Sequence, residues 1–170
     1  MNTQDVLVEA YGRIRQLVHQ AADGLDQPRL TYRPEPGANS IAWLVWHLTR
    51  IQDDHLAEIA GVEQVWVTSG WAAALGMEPD PANLGQGHGP DDVAAINPAD
   101  PTALLGYHDE VMDRSVNYLA GVDTAELARI IDHSYMPPVS VGVRLVSVLS
   151  DNIQHAGQAR YLRGIVDRVM

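Results

Sequence analysis

Three side chains from two separated stretches combine residue types and spacing that could do chemistry. In SDNIQHAGQARYLRG, Asp151 and His155 stand four residues apart. On a helix that spacing sets a carboxylate and an imidazole one turn apart on one face, about 6 Å between Cβ atoms. In IAWLVWHLTRIQDDHLAEIA, His47 lies inside the apolar run WLVWHL, where a solvated histidine would be out of place. Two imidazoles and one carboxylate form a facial donor set with open positions, the pattern of catalytic zinc and non-haem iron sites. Bonds of about 2.0–2.2 Å leave little tolerance, so the three must converge on one point. The plain alternative is a surface Asp–His pair stabilising its helix by about 0.2–0.5 kcal/mol. Burying two imidazoles and a carboxylate uncompensated costs several kcal/mol, which a divalent cation offsets.

Four segments with helical periodicity must position these residues. The first runs from about Gln4 to Leu25, with Leu7, Tyr11, Ile14, Leu17, Val18, Ala21 and Leu25 on one stripe. The second opens at Asn39 or Ser40, both good N-caps, and stops at Gly61. The third, TALLGYHDEVMDRSVNYLAG, follows Asp100-Pro101 and turns Leu104, Leu105, His108, Val111, Met112, Ser115 and Leu119 inward. The fourth spans about Ser140 to Arg168. At about 100° per residue its inward face is expected through Arg144, Val148, Asp151, His155, Gln158 and Leu162.

Between them, DQPRLTYRPEPGANS reads as a loop broken by three prolines. Residues 62–100 are long and irregular, with short helices expected in WVTSGWAAALGM and PDDVAAI; such connections are often functional. Strand signals are weak, confined to LARII and VSVGV. Four amphipathic helices and no sheet predict an all-α antiparallel four-helix bundle, one domain over residues 1–170, with sites built in the core from facing helices.

Composition narrows the chemistry. The chain has no cysteine, and all 11 of its cationic side chains are arginine. That removes thiol nucleophiles, disulfides, zinc–thiolate sites, Schiff-base lysines and the phosphate-loop lysine. A net charge of −11 argues against nucleic acid and anionic lipid as partners. Small molecules, metal cations or a second copy remain. No apolar run approaches the roughly 20 residues that span a bilayer. MNTQDVLVEAYGRIR lacks a basic segment followed by an apolar one, so a cytoplasmic location is expected.

PGANSIAWLVWHLTRIQDDH together with SDNIQHAGQARYLRG resembles the DinB superfamily, and within it the actinobacterial DUF664-type members. The same superfamily includes mycothiol-dependent maleylpyruvate isomerases and bacillithiol S-transferases. The resemblance implies a four-helix bundle holding a divalent metal, zinc or nickel, by three side chains. One histidine from the second helix maps onto His47, and a pair from the last helix maps onto Asp151 and His155. The departure is Asp151, where the family has His or Glu; aspartate reaches one methylene less than Glu. Relatives of known activity activate a low-molecular-weight thiol at the metal, so a thiol-dependent transferase or isomerase using mycothiol is implied, as is a helix-mediated homodimer. A different class of reading is a non-catalytic binding or stress-related protein with a structural metal or none.

The remaining polar residues carry two readings each. Gln158 either orients the His155 ring or a bound water, or is an ordinary polar partner inside the bundle. Arg144 either attracts an anionic substrate or forms a surface ion pair. His108 is expected as a satisfied core histidine rather than a neighbour of the metal. His88, in GQGHGPDD, is expected to be solvated. Trp66 and Trp71 are expected to pack as core or lid, and His19, His55 and His133 have no evident partner.

Overall fold

The computed structural model describes residues 1–170. Its first element, α1 (Thr3–Ala22), starts at a capping box in which the Asn2 side chain accepts from the Asp5 amide while Asp5 accepts from the Asn2 amide. A single helical turn, α2 (Gln27–Leu30), interrupts the proline-rich loop, with Asp26 as its cap and Pro28 in its first turn. Ser40 caps α3 (Ile41–Ala60), which ends on left-handed Gly61. Three short helices follow in the long connection: α4 (Val65–Thr68), α5 (Trp71–Ala74) and α6 (Pro90–Ala95). Then come α7 (Thr102–Ala120), α8 (Thr124–Ala128) and a two-stranded ribbon, β1 (Ile130–Asp132) with β2 (Val139–Ser140). Capped by Ser140, α9 (Val141–Val169) completes the chain.

The short ribbon falls in the two stretches that carried weak strand signals, LARII and VSVGV, whereas α8 is a difference from the sequence expectation. Strands of three and two residues are too short to show a clear period of two.

The four long helices form the bundle. Side-chain pairings fix their directions. Arg15 meets Asp109 and Gln4 meets the Val122 carbonyl, so α1 and α7 are antiparallel. His47 faces His155 and His55 faces Arg144, so α3 and α9 are antiparallel. Tyr11 reaches the Leu145 carbonyl and Arg160 the Gln20 carbonyl, so α1 and α9 are parallel. Thr49 meets His108 and Gln52 meets Ser115, so α3 and α7 are parallel too. A parallel pair cannot be joined by a tight turn. The chain must travel back the length of α3, roughly 30 Å at 1.5 Å per residue, which is why residues 61–101 are long.

One apolar cluster fills the interior, with Tyr11, Ile14, Leu48, Trp46, Trp66, Leu104 and Met112 almost fully buried within it. The stripe expected on α7 is buried, with Tyr107 added to it. On α9 the buried stripe is Val141, Leu145, Val148, Asn152, Ala156, Ala159, Leu162 and Val166. The expected inward set is therefore corrected: Arg144, Asp151 and His155 lie on its shoulder toward α3, and Gln158 is exposed.

Polar groups inside the bundle are chained together. Asn152 donates to Gln52, and Gln52 to Ser115, linking α9, α3 and α7. The Thr49 hydroxyl donates to the Val45 carbonyl, so His108 donates Nδ1–H to Thr49 at 3.0 Å and keeps a bare Nε2 with no partner. Burial pushes the His108 imidazole down to about 3 from 6.5. Between those values the unfolded chain takes a proton that the folded chain refuses. This contribution to stability is full above pH 6.5 and is lost as pH falls, by about 1.4 kcal/mol per unit. A His108→Gln variant is expected to flatten the slope of urea-unfolding free energy against pH between pH 4 and 6.5. An unchanged slope contradicts the assignment.

Candidate metal centre

His47 sits in the second turn of α3, and Asp151 and His155 in the middle of α9, the helix packed most closely against it. The crossing brings one ligating atom from each to within 4.8 Å of the others. The two imidazoles meet edge to face, centroids 4.8 Å apart at 80°, and Asp151 Oδ1 lies 3.6 Å from His155 Nε2. A tetrahedral ion with bonds of about 2.0–2.2 Å needs donors about 3.3–3.6 Å apart, so the widest separation in the cluster must close by roughly 1.2 Å or more to hold one.

Both rings are held so that Nε2 faces the cluster. His47 donates Nδ1–H to the Leu84 carbonyl at 2.5 Å, and His155 donates Nδ1–H to Gln158 Oε1 at 2.9 Å. Orientation of the distal nitrogen by a carbonyl is the usual support of a metal-binding imidazole. Trp43 completes the wall, stacked on His47 at 4.6 Å and 14° and edge-on to His155 at 6.3 Å. Desolvation lowers the basicity of His47, and the Leu84 carbonyl opposes that. The adjacent Asp151 carboxylate raises His155.

Whether these residues suit a cation is tested by Asp151 Oδ2. That oxygen is buried and has no hydrogen-bond partner, although the side chain is about one-third exposed overall. A buried carboxylate oxygen left bare is costly, and a cation between Asp151 and the two free Nε2 atoms satisfies it. The donor set fits a borderline divalent ion.

The other residues singled out in the sequence fall as follows. Gln158, though exposed, bonds to His155. Arg144 bonds to His55 Nδ1 at 2.7 Å and lies 3.2 and 3.5 Å from Glu58 and Asp132, so its charge is already matched. His108 belongs to the Thr49 pair in the core. The expectation of a solvated His88 is overturned. It is half-buried, accepts from Trp43 Nε1 at 3.1 Å, bonds to Asn83 Oδ1 at 3.0 Å and stacks on Trp46. Trp66 is fully buried, and Trp71 lies against Gly106 and donates to Glu110. His19 pairs with Asp109, and His133 is exposed. Sequence reasoning missed Leu84 and Gly85. The sign available was the glycine-rich LGQGHG, whose Gly85 has φ +88° and lies against the Trp46, His47 and Trp43 rings.

A shallow depression on the outer surface of α9, lined by Val143, Val146, Ser147, Ser150 and Gln154, borders the cluster at Asp151. A more apolar cleft of about 370 Å³ lies elsewhere, between α3 and α7, around Leu56, Ala57, Val111 and Tyr118. No helix is long and apolar enough to cross a membrane.

Among solved structures the chain is similar to a conserved protein from Enterococcus faecalis, at 24% identity and a TM-score of 0.89, over 98% of each chain. At that identity the likeness concerns the fold. No curated protein matches the chain. The DinB superfamily matches residues 10–159, most of the length and all three residues of the cluster. The chain belongs to the DinB superfamily.

Proposed function

We propose that this protein is a cytoplasmic, metal-dependent enzyme of thiol chemistry, an S-transferase or isomerase. In this reading His47, Asp151 and His155 hold a divalent cation, zinc or nickel, and mycothiol supplies the sulfur. The observation that carries the reading is the convergence of three donors around a buried, unpartnered Asp151 oxygen. A divalent cation held there supplies charge that lowers the pKa of a thiol or water ligand enough to make it nucleophilic near neutrality.

The chain's own residues do the rest. Leu84 and Gln158 keep the ring protons turned away, so both Nε2 lone pairs face the cation. One carboxylate against a divalent charge leaves the centre net positive, which favours an anionic sulfur. Trp43 presents an apolar wall that holds water away. Lacking cysteine and lysine, the chain offers no thiolate or amine of its own.

Purified protein is expected to carry close to one zinc or nickel per chain, and His47→Ala to weaken binding roughly a hundredfold or more. Affinity is expected to fall as pH drops, because Asp151 raises His155 and a proton then competes for its Nε2. Equal metal content in wild type and His47→Ala, by elemental analysis, overturns the assignment. With mycothiol and an epoxide or other soft electrophile, turnover is expected and is lost on chelation.

A second reading, a non-catalytic binding or stress-related protein with a structural metal, draws on one observation. The only hollow bordering the cluster among those described is a shallow one on α9 that meets it at Asp151 alone. Metal-dependent thermal stabilisation with no turnover of any thiol–electrophile pair decides for it.

The same reading includes a homodimer through α9. Val143, Val146, Ile153 and Tyr161 form an exposed stripe opposite the core, with Ser150 and Gly157 between them and no charged residue from Val143 to Gly157 on that face. A second copy of a chain of charge −11 needs a neutral meeting face, and an antiparallel α9 pair sets Gly157 against Val146 and Ser150 against Ile153. Light scattering is expected to give a dimer that Val146→Arg splits; a wild-type monomer at 100 μM contradicts it.

A further inference from the structure

Three donors on one face of α3, at spacings of four and three residues, all grip the returning connection. Trp43 Nε1–H meets His88 Nδ1, His47 Nδ1–H meets the Leu84 carbonyl, and the Arg50 guanidinium meets the carbonyls of Asn83 at 3.1 Å and Pro81 at 3.0 Å. Residues three and four apart share a helix face, so this is a single ladder climbing α3 as the connection descends its own sequence. Arg50 is fully buried and its remaining hydrogens go to Gln64 Oε1 at 2.8 Å, the Tyr107 hydroxyl at 3.1 Å and Asp53 at 3.4 Å. It also lies 5.0 Å over the Trp66 ring. Asp53 in turn accepts from the amides of Val65 and Trp66 and from Tyr107. The anchor is therefore rigid.

Adjacent carbonyls of the connection are thus bound by residues one turn apart, Asn83 by Arg50 and Leu84 by His47. Asn83 Oδ1 accepts from His88 Nε2, which follows because His88 Nδ1 is already taken by Trp43. Gly85 permits the approach. A Cβ there would stand 2.8 Å from Trp46 and 3.0 Å from His47 Nδ1, and its φ of +88° disfavours any side chain.

We propose that residues 81–88 act as a strap, anchored by Arg50, that fixes the His47 proton on Nδ1 and keeps Nε2 bare toward the cluster. Arg50, Gly85 and His88 are positioning residues that act through His47 without reaching the ion. The effect on metal affinity rests on the metal reading above; the tautomer does not. Arginine is required because lysine cannot fork between two carbonyls, a side-chain amide and a phenol.

The experiment is long-range ¹H–¹⁵N NMR of the histidine rings in metal-free protein, with zinc titrations alongside, on wild type, Gly85→Ala and Arg50→Lys. Wild-type His47 is expected as the Nδ1–H tautomer. Both variants are expected to retain helical circular dichroism, shift His47 toward Nε2–H, and bind zinc about 10–100-fold more weakly. The proposal is overturned if wild-type His47 carries its proton on Nε2, a result that needs no variant to fold. It is equally overturned if the folded variants keep both the Nδ1–H signature and wild-type zinc affinity. Should wild type bind no zinc, the metal reading fails by itself and the tautomer still decides for or against the strap.

Discussion

The second long helix is buried around almost its whole circumference, and that constraint organises the rest of the molecule. Sixteen of the twenty residues of α3 are buried, among them His47, Thr49, Arg50, Gln52 and Asp53. The cause is topological. Because α3 and α7 run parallel, their connection must pass back along α3, covering the side that a hairpin would have left to solvent. Each polar side chain on such a helix must find a partner inside the protein or raise the free energy of the fold.

The solutions divide by face. Toward α7 and the bundle interior, Thr49 meets His108, and Gln52 joins Ser115 to Asn152. Toward the returning connection, Arg50 and Asp53 bind backbone carbonyls and amides. His47 alone has its two ring nitrogens shared between two neighbours, one aimed at Leu84 and the other at α9. The half-exposed shoulder of α9 supplies Asp151 and His155 there. The three-residue cluster lies where the buried helix, the returning connection and the rim of the bundle coincide.

Much of this was legible in the sequence, and the rest was hidden for physical reasons. Ser40, Gly61 and Ser140 marked helix ends because capping is a local interaction. The spacing of Asp151 and His155 and the apolar setting of His47 marked the cluster. The phase of α9 is not legible in the sequence because its buried stripe is built partly from Asn152, Ala156 and Ala159, whereas Val143, Val146 and Ile153 face outward. Hydropathy therefore carried almost no amphipathic signal on that helix. The strap was invisible for a different reason. Its acceptors are mostly backbone carbonyls, which every residue has, so only Gly85 and the neighbouring His88 left a trace in residue identity. The parallel pairing of α3 with α7 was likewise unreadable, though the length of the connection was its consequence.

The claim that the rest depends on is that His47, from α3, shares a cation with Asp151 and His155, from α9. X-ray absorption at the metal edge of zinc- or nickel-loaded protein tests it most directly. The expected spectrum shows a first shell of two imidazole nitrogens with their outer-ring scattering, plus light oxygen donors. A spectrum with one imidazole or none contradicts the claim.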